Sequence, residues 1–223
     1  MKRIVLYVTF CLLTAVFAEA QNNVSIGAWN IQWLGNADQR SGCGKDVNQT
    51  AEDIALYISE SRVDILALEE IGDTDGSSQA RTNRTLDRVM EILNRSDDND
   101  WKYLLFAKRS INATTQMTGI MWNDDKIDKV GDPYRIEFDL PSGGTNFWDR
   151  WATAVKFKFG NNKTDIVIIP VHMKANVGSG NHVLQREREA GFLADELTST
   201  ICCQQLPQVC GRRKIYSKIY KMS

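Results

Sequence analysis

Five polar residues draw attention because they stand where apolar runs begin or end. Asn30 closes "VSIGAWN", Glu69 and Glu70 close "VDILALEE", and His172 lies at the end of "DIVIIPVHM". Arg150, in "FWDRW", stands just before "ATAVKFKF". Polar groups gathered at strand ends are typical of α/β active sites, where the sheet interior is rigid and its rim is open. An Asn, a carboxylate, an Arg and a His together suit a phosphate ester. The carboxylate would hold a hard cation, Mg2+ first and Mn2+ or Ca2+ as alternatives, which keeps several waters and takes few protein ligands. The Asn amide would support a metal-bound group or a phosphate oxygen. Arg150 offers a planar fork to phosphate, and His172 can hydrogen-bond or protonate it near neutral pH. Each residue type also has a structural use: strand-end Asn and Glu form turns, Arg lies along surfaces, and a buried His can be internally satisfied.

The elements that must position these residues are legible in outline. "VSIGAWN" and "VDILALEE" read as buried strands. Between them "NQTAEDIALYISESR" is an amphipathic helix, with Thr50 and Asp53 as a variant capping box and Ala51, Ile54, Ala55 and Ile58 on one face. "RTLDRVMEILNR" is a second helix, with Leu86, Val89, Ile92 and Leu93 at helical spacing. Strands are expected at "KYLLFA", "MTGIMWN", "YRIEFDL", "ATAVKFKF" and "DIVIIPVHM", separated by breaks such as "PSGG" and "GNN". "QREREAGFLADELTS" is the last helix, and His182 is expected in the loop before it. Early alternation followed by a run of strands gives an α/β domain with mixed sheets.

The ends differ from this middle. Lys2 and Arg3 precede an apolar run, "IVLYVTFCLLTAVF", and Ala18 and Ala20 then stand at signal-peptidase positions, so residues 1–20 read as a secretory leader. The run is shorter than the roughly 20 residues that span a bilayer, and no second long apolar run follows, so the mature chain has no expected membrane span. Asn-X-Ser/Thr sequons at Asn23, Asn48, Asn83, Asn94, Asn112 and Asn162 are N-glycosylation candidates. Without the leader, Cys43, Cys202, Cys203 and Cys210 remain; in an oxidising compartment they permit two disulfides in three connectivities. Their spacing fits no familiar zinc finger. The net charge of −1 excludes a global basic field for nucleic acid, so any phosphate recognition is local. Residues 21–199 read as one domain, and 200–223 as a basic tail of different character.

"AWNIQWLG", "VDILALEEI", "GIMWNDDKI", "DRWATAVKF" and "VIIPVHMKA" occur in an order that resembles the endonuclease/exonuclease/phosphatase superfamily, most of all its deoxyribonuclease I-like branch. The likeness runs from about Val24 to Ser199. It implies two mixed sheets packed face to face with helices outside, a four-layer sandwich. It implies Glu70 as the metal-binding Glu, Asn30 as the residue that positions a metal-bound ligand or phosphate, and His172 as the histidine at the scissile phosphate. Arg150 resembles the Arg before the preceding strand. Glu69 stands at the usual Gln position, and Gln116 stands where deoxyribonuclease-like members carry a Glu. The resemblance implies in-line attack by water on a phosphodiester such as DNA.

The family's later "G-D-x-N" and "Asp-His" motifs do not occur in these 223 residues. The second half of the fold is therefore expected to be incomplete, as in a C-terminally truncated product, and the activity of this chain impaired, because catalytic groups act as a unit. The expected function is a secreted Mg2+-dependent phosphodiesterase, a DNase-like endonuclease. The alternatives are a non-catalytic binder of nucleic acid or protein, and a relative of sphingomyelinases or phosphoinositide phosphatases. Nothing in the sequence speaks to oligomeric state.

Overall fold

The computed structural model describes residues 23–36, 49–72, 74, 81–95, 99–106, 116–136, 152–160, 164–173 and 182–197. The leader, Arg150, all the cysteines, the tail and the sequons at Asn48, Asn112 and Asn162 lie outside these residues. The elements are β1 (Ile26–Leu34), α1 (Ala51–Ser61), β2 (Ile65–Ile71), α2 (Arg84–Leu93), β3 (Trp101–Leu105), β4 (Met117–Asn123), β5 (Ile127–Arg135), β6 (Thr153–Phe159), β7 (Thr164–Ile168) and α3 (His182–Glu196).

The strands form two sheets, ordered β1-β2-β4-β3 and β5-β6-β7. Only the β1–β2 pair is parallel among these, and α1 is its crossover. The two-residue side-chain period then sorts apolar residues into three layers. Leu66, Leu68, Met117 and Met121 face the α1–α2 side and pack with Ile54, Ile58, Leu86 and Val89. Ile65, Ile120 and Trp122 face the other way and meet Val155 and Phe157 across the sheet–sheet interface. Ala152 and Ala154, on the far side of the second sheet, pack with Leu193 of α3 and with Leu197. The result is the expected sandwich of helices, sheet, sheet and helix. β4, buried at every position, is its centre. There Gly119 is required, because a Cβ would lie 2.7 Å from the Leu104 carbonyl oxygen.

Capping agrees with the sequence. The Thr50 side chain accepts from the Asp53 N–H and donates to its carboxylate, which starts α1. Three local readings change. The strand expected from Tyr134 instead begins at Ile127 and runs through Gly131 (φ 68°) and Pro133. It tolerates both because β5 is an edge strand and its register with β6 slips between Val130 and Tyr134. The strand expected to reach Met173 stops at Ile168, two residues before Pro170, which has no N–H for a ladder. His182, placed by sequence in a loop, is the first residue of α3.

One sequon residue also has a structural role. Asn83 is fully buried as the N-cap of α2. Its Oδ1 accepts from Leu86 N–H at 3.0 Å, and its Nδ2 donates to the carbonyls of Leu34 and Gly72, both at 2.9 Å. The side-chain nitrogen ties together the ends of β1 and β2, so Asn83 is a structural clip in the folded chain. Asn23 and Asn94 are exposed.

Candidate active site

Two irregular strand ends build the site. β1 leaves ideal geometry just after Asn30, where Gln32 (φ 45°) and Trp33 (φ 59°) adopt the left-handed region. The turn is held from within, since Asn30 Oδ1 accepts from Gln32 N–H at 3.0 Å, the side-chain-to-backbone pattern that makes Asn a turn former. Gln49, just before α1, donates its amide to the Ile31 carbonyl behind it. Because Oδ1 is committed, the amide NH2 of Asn30 must point outward, and it donates to Glu70 Oε1 at 2.8 Å.

β2 ends with a comparable break. Glu70 has φ 61°, costly for a residue with a Cβ and worth of order 1–3 kcal/mol of strain. In a regular strand Glu69 and Glu70 would face opposite sides of the sheet. Here the register with β4 shifts between Leu68 and Ile71, and Ile71 returns to the α1–α2 core beside Leu68. The bulge re-aims Glu70, so two successive carboxylates reach one site.

The remaining members come from the residue before β4 and from the segment after β7. Gln116, buried just before β4, donates its amide to Glu70 Oε2 at 2.8 Å. His172 shares the sheet–sheet parity of Ile168 and reaches the rim opposite. Its Nδ1 lies 3.0 Å from Glu69 Oε2, and its Nε2 lies 3.8 Å from Glu70 Oε1, outside hydrogen-bond range. Asn30, Glu70 and His172, singled out in the sequence, thus converge, and Arg150 lies outside the described residues. Strand alternation hid the second carboxylate. The only sequence signal for it was the doubled acid itself.

The Glu70 carboxylate fits a hard divalent cation. Each oxygen accepts one amide proton and keeps further lone pairs, and its side chain is 18% exposed. Among the described residues, no three His, Cys, Asp or Glu side chains cluster into a cage. That donor set suits an ion such as Mg2+, which takes one or two carboxylates and fills its shell with water and phosphate oxygens. On the inter-sheet face of β1, Ile26 and Ala28 stay exposed while Trp29, on the opposite face, packs on Tyr57 of α1. Among the described residues, the second sheet leaves Ile26 and Ala28 of β1 exposed.

No protein-family model and no curated protein matches the chain. Among solved structures, an endonuclease/exonuclease/phosphatase from Bacteroides vulgatus aligns over 78% of this chain at 14% identity, with a TM-score of 0.53. A second such protein, from Bacteroides thetaiotaomicron, aligns over 79% at 16% identity (TM-score 0.50). A mannosyl-6-phosphatase of the same organism aligns over 80% at 16% identity (TM-score 0.51). These likenesses show the endonuclease/exonuclease/phosphatase fold. The alignment spans 59%, 59% and 61% of those three proteins.

Proposed function

We propose that this chain is a secreted, Mg2+-dependent phosphodiesterase of the endonuclease/exonuclease/phosphatase superfamily, a DNase-like endonuclease. The observation that carries the reading is the Glu70 carboxylate, held between the Asn30 and Gln116 amides with His172 beside it. In this reading Glu70 holds the cation, Asn30 fixes the carboxylate and offers its amide to the phosphate side, and His172 exchanges a proton with an ester oxygen. When bound, the cation supplies positive charge to the phosphate oxygens. Arg150 contributes a second positive group. The family motifs G-D-x-N and Asp-His do not occur in these 223 residues.

That absence favours a second reading, a non-catalytic binder of nucleic acid. Hydrolysis of supercoiled DNA with Mg2+ separates the two. In the first reading the protein is expected to cleave DNA in preference to sphingomyelin or phosphoinositide vesicles. Glu70→Ala or His172→Ala is expected to lower its rate by roughly 10²–10⁴-fold. Cleavage within a few-fold of normal in either variant removes that residue from the mechanism.

A further inference from the structure

We infer that Glu69 is the positioning residue for His172, fixing its ring so that the proton sits on Nδ1 and Nε2 faces the Glu70 side of the site. The inference rests on the phosphodiester reading of the same site. Glu69 Oε2 lies 3.0 Å from His172 Nδ1, and the two side chains are 28% and 11% exposed. An ionised carboxylate only accepts, so at this distance the imidazole must present Nδ1–H to it. Nε2 is then the nitrogen left for the phosphate side, and it already lies 3.8 Å from Glu70 Oε1.

The bulge at Glu70 divides labour between the two acids. With φ 61° at Glu70, Glu69 turns to the histidine while Glu70 turns to the Asn30 and Gln116 amides. Gln116 gives its amide proton to Glu70, which a carboxylate at that position could not do. The acid at 69 and the amide at 116 are therefore not exchangeable: moving the charge to 116 would set two carboxylates against each other and leave Nδ1 without its anionic acceptor.

The test is imidazole 15N–1H NMR on the whole 223-residue chain at one fixed pH. Only two histidines are present, and His182→Gln assigns the spectrum. The wild-type chain is expected to show a His172 Nδ1–H whose solvent exchange is at least tenfold slower than in Glu69→Ala. Gln116→Ala is expected to keep the slow signal. A proton found on Nε2 alone, or exchange unchanged in Glu69→Ala, overturns the inference. Should Glu69→Ala not fold, the isosteric Glu69→Gln decides: about threefold faster exchange supports the pair and unchanged exchange overturns it. The Glu69→Gln/Gln116→Glu double variant is expected not to restore slow exchange, and full restoration would also overturn the inference. These spectra need no turnover. A chain inactive on phosphodiesters would sink the proposed function and leave the Glu69–His172 pair standing. In a form that turns over, Glu69→Ala is expected to lower kcat by roughly 10- to 100-fold, the usual range for losing a partner that orients a functional imidazole, with KM within about twofold.

Discussion

Replacing Asn83 by alanine should destabilise the chain more than its place in a polar stretch suggests. The side chain makes three hydrogen bonds of 2.9–3.0 Å with no solvent exposure. Loss of the N-cap costs about 1 kcal/mol, and each lost bond to a buried carbonyl adds about 1 kcal/mol. The Leu34 carbonyl keeps a second donor, Gly72 N–H at 2.9 Å, which limits the damage there. The total is roughly 3 kcal/mol, a large fraction of the ~5–15 kcal/mol that holds a domain together. In urea this shifts the unfolding midpoint down by about 1–3 M. Asn83→Ser keeps a cap and loses both donors, so it should fall about 1 kcal/mol short of the alanine variant's loss. A loss below about 1 kcal/mol for Asn83→Ala, or equal losses for both variants, would refute the clip.

Other consequences are more local. Gly119→Ala places a methyl group against the Leu104 carbonyl oxygen and Leu105 Cδ2, each at 2.7 Å, and should cost about 1–3 kcal/mol; calorimetry showing no loss would mean β3 and β4 are not packed as described. At the opposite end of the first sheet, burial pushes the Asp124 carboxyl up, but hydrogen bonds from Lys102 and Trp122 outweigh it and hold it below its ordinary value. Lys102 is itself pushed up to about 12 by Asp124 and Asp100. A carboxylate with a depressed folded value contributes stability above its unfolded pKa of about 3.9, and loses it as pH falls through the lower folded one. Lys102→Met should therefore raise the acid-unfolding midpoint followed by circular dichroism, and an unchanged midpoint would contradict the pairing.

How much was legible depends on the range of the interaction that decides each feature. Period and capping placed α1, α2 and the strands through Asn30, Glu70 and Asn123, because those signals are local. The clip made by Asn83 was not legible, since its partners Leu34 and Gly72 lie 49 and 11 positions away. The doubled acid was visible but its use was not: strand alternation assigns neighbours to opposite faces, and only a left-handed residue at 70 brings both inward. β5 was shifted because Gly131 and Pro133 argue against a strand unless its edge position is known. Asn30 was legible as the polar end of the first strand, but not its double use, with Oδ1 closing the turn at Gln32 and the amide donating to Glu70.

The proposed function makes Glu70 the cation ligand. Mn2+ added to the 15N-labelled chain should broaden the backbone signals of Asn30, Glu70 and His172 first. Glu70→Gln, with the same shape but without the charge, should leave them sharp at the same Mn2+ concentration. Broadening that survives Glu70→Gln, or that centres away from these residues, would contradict the account.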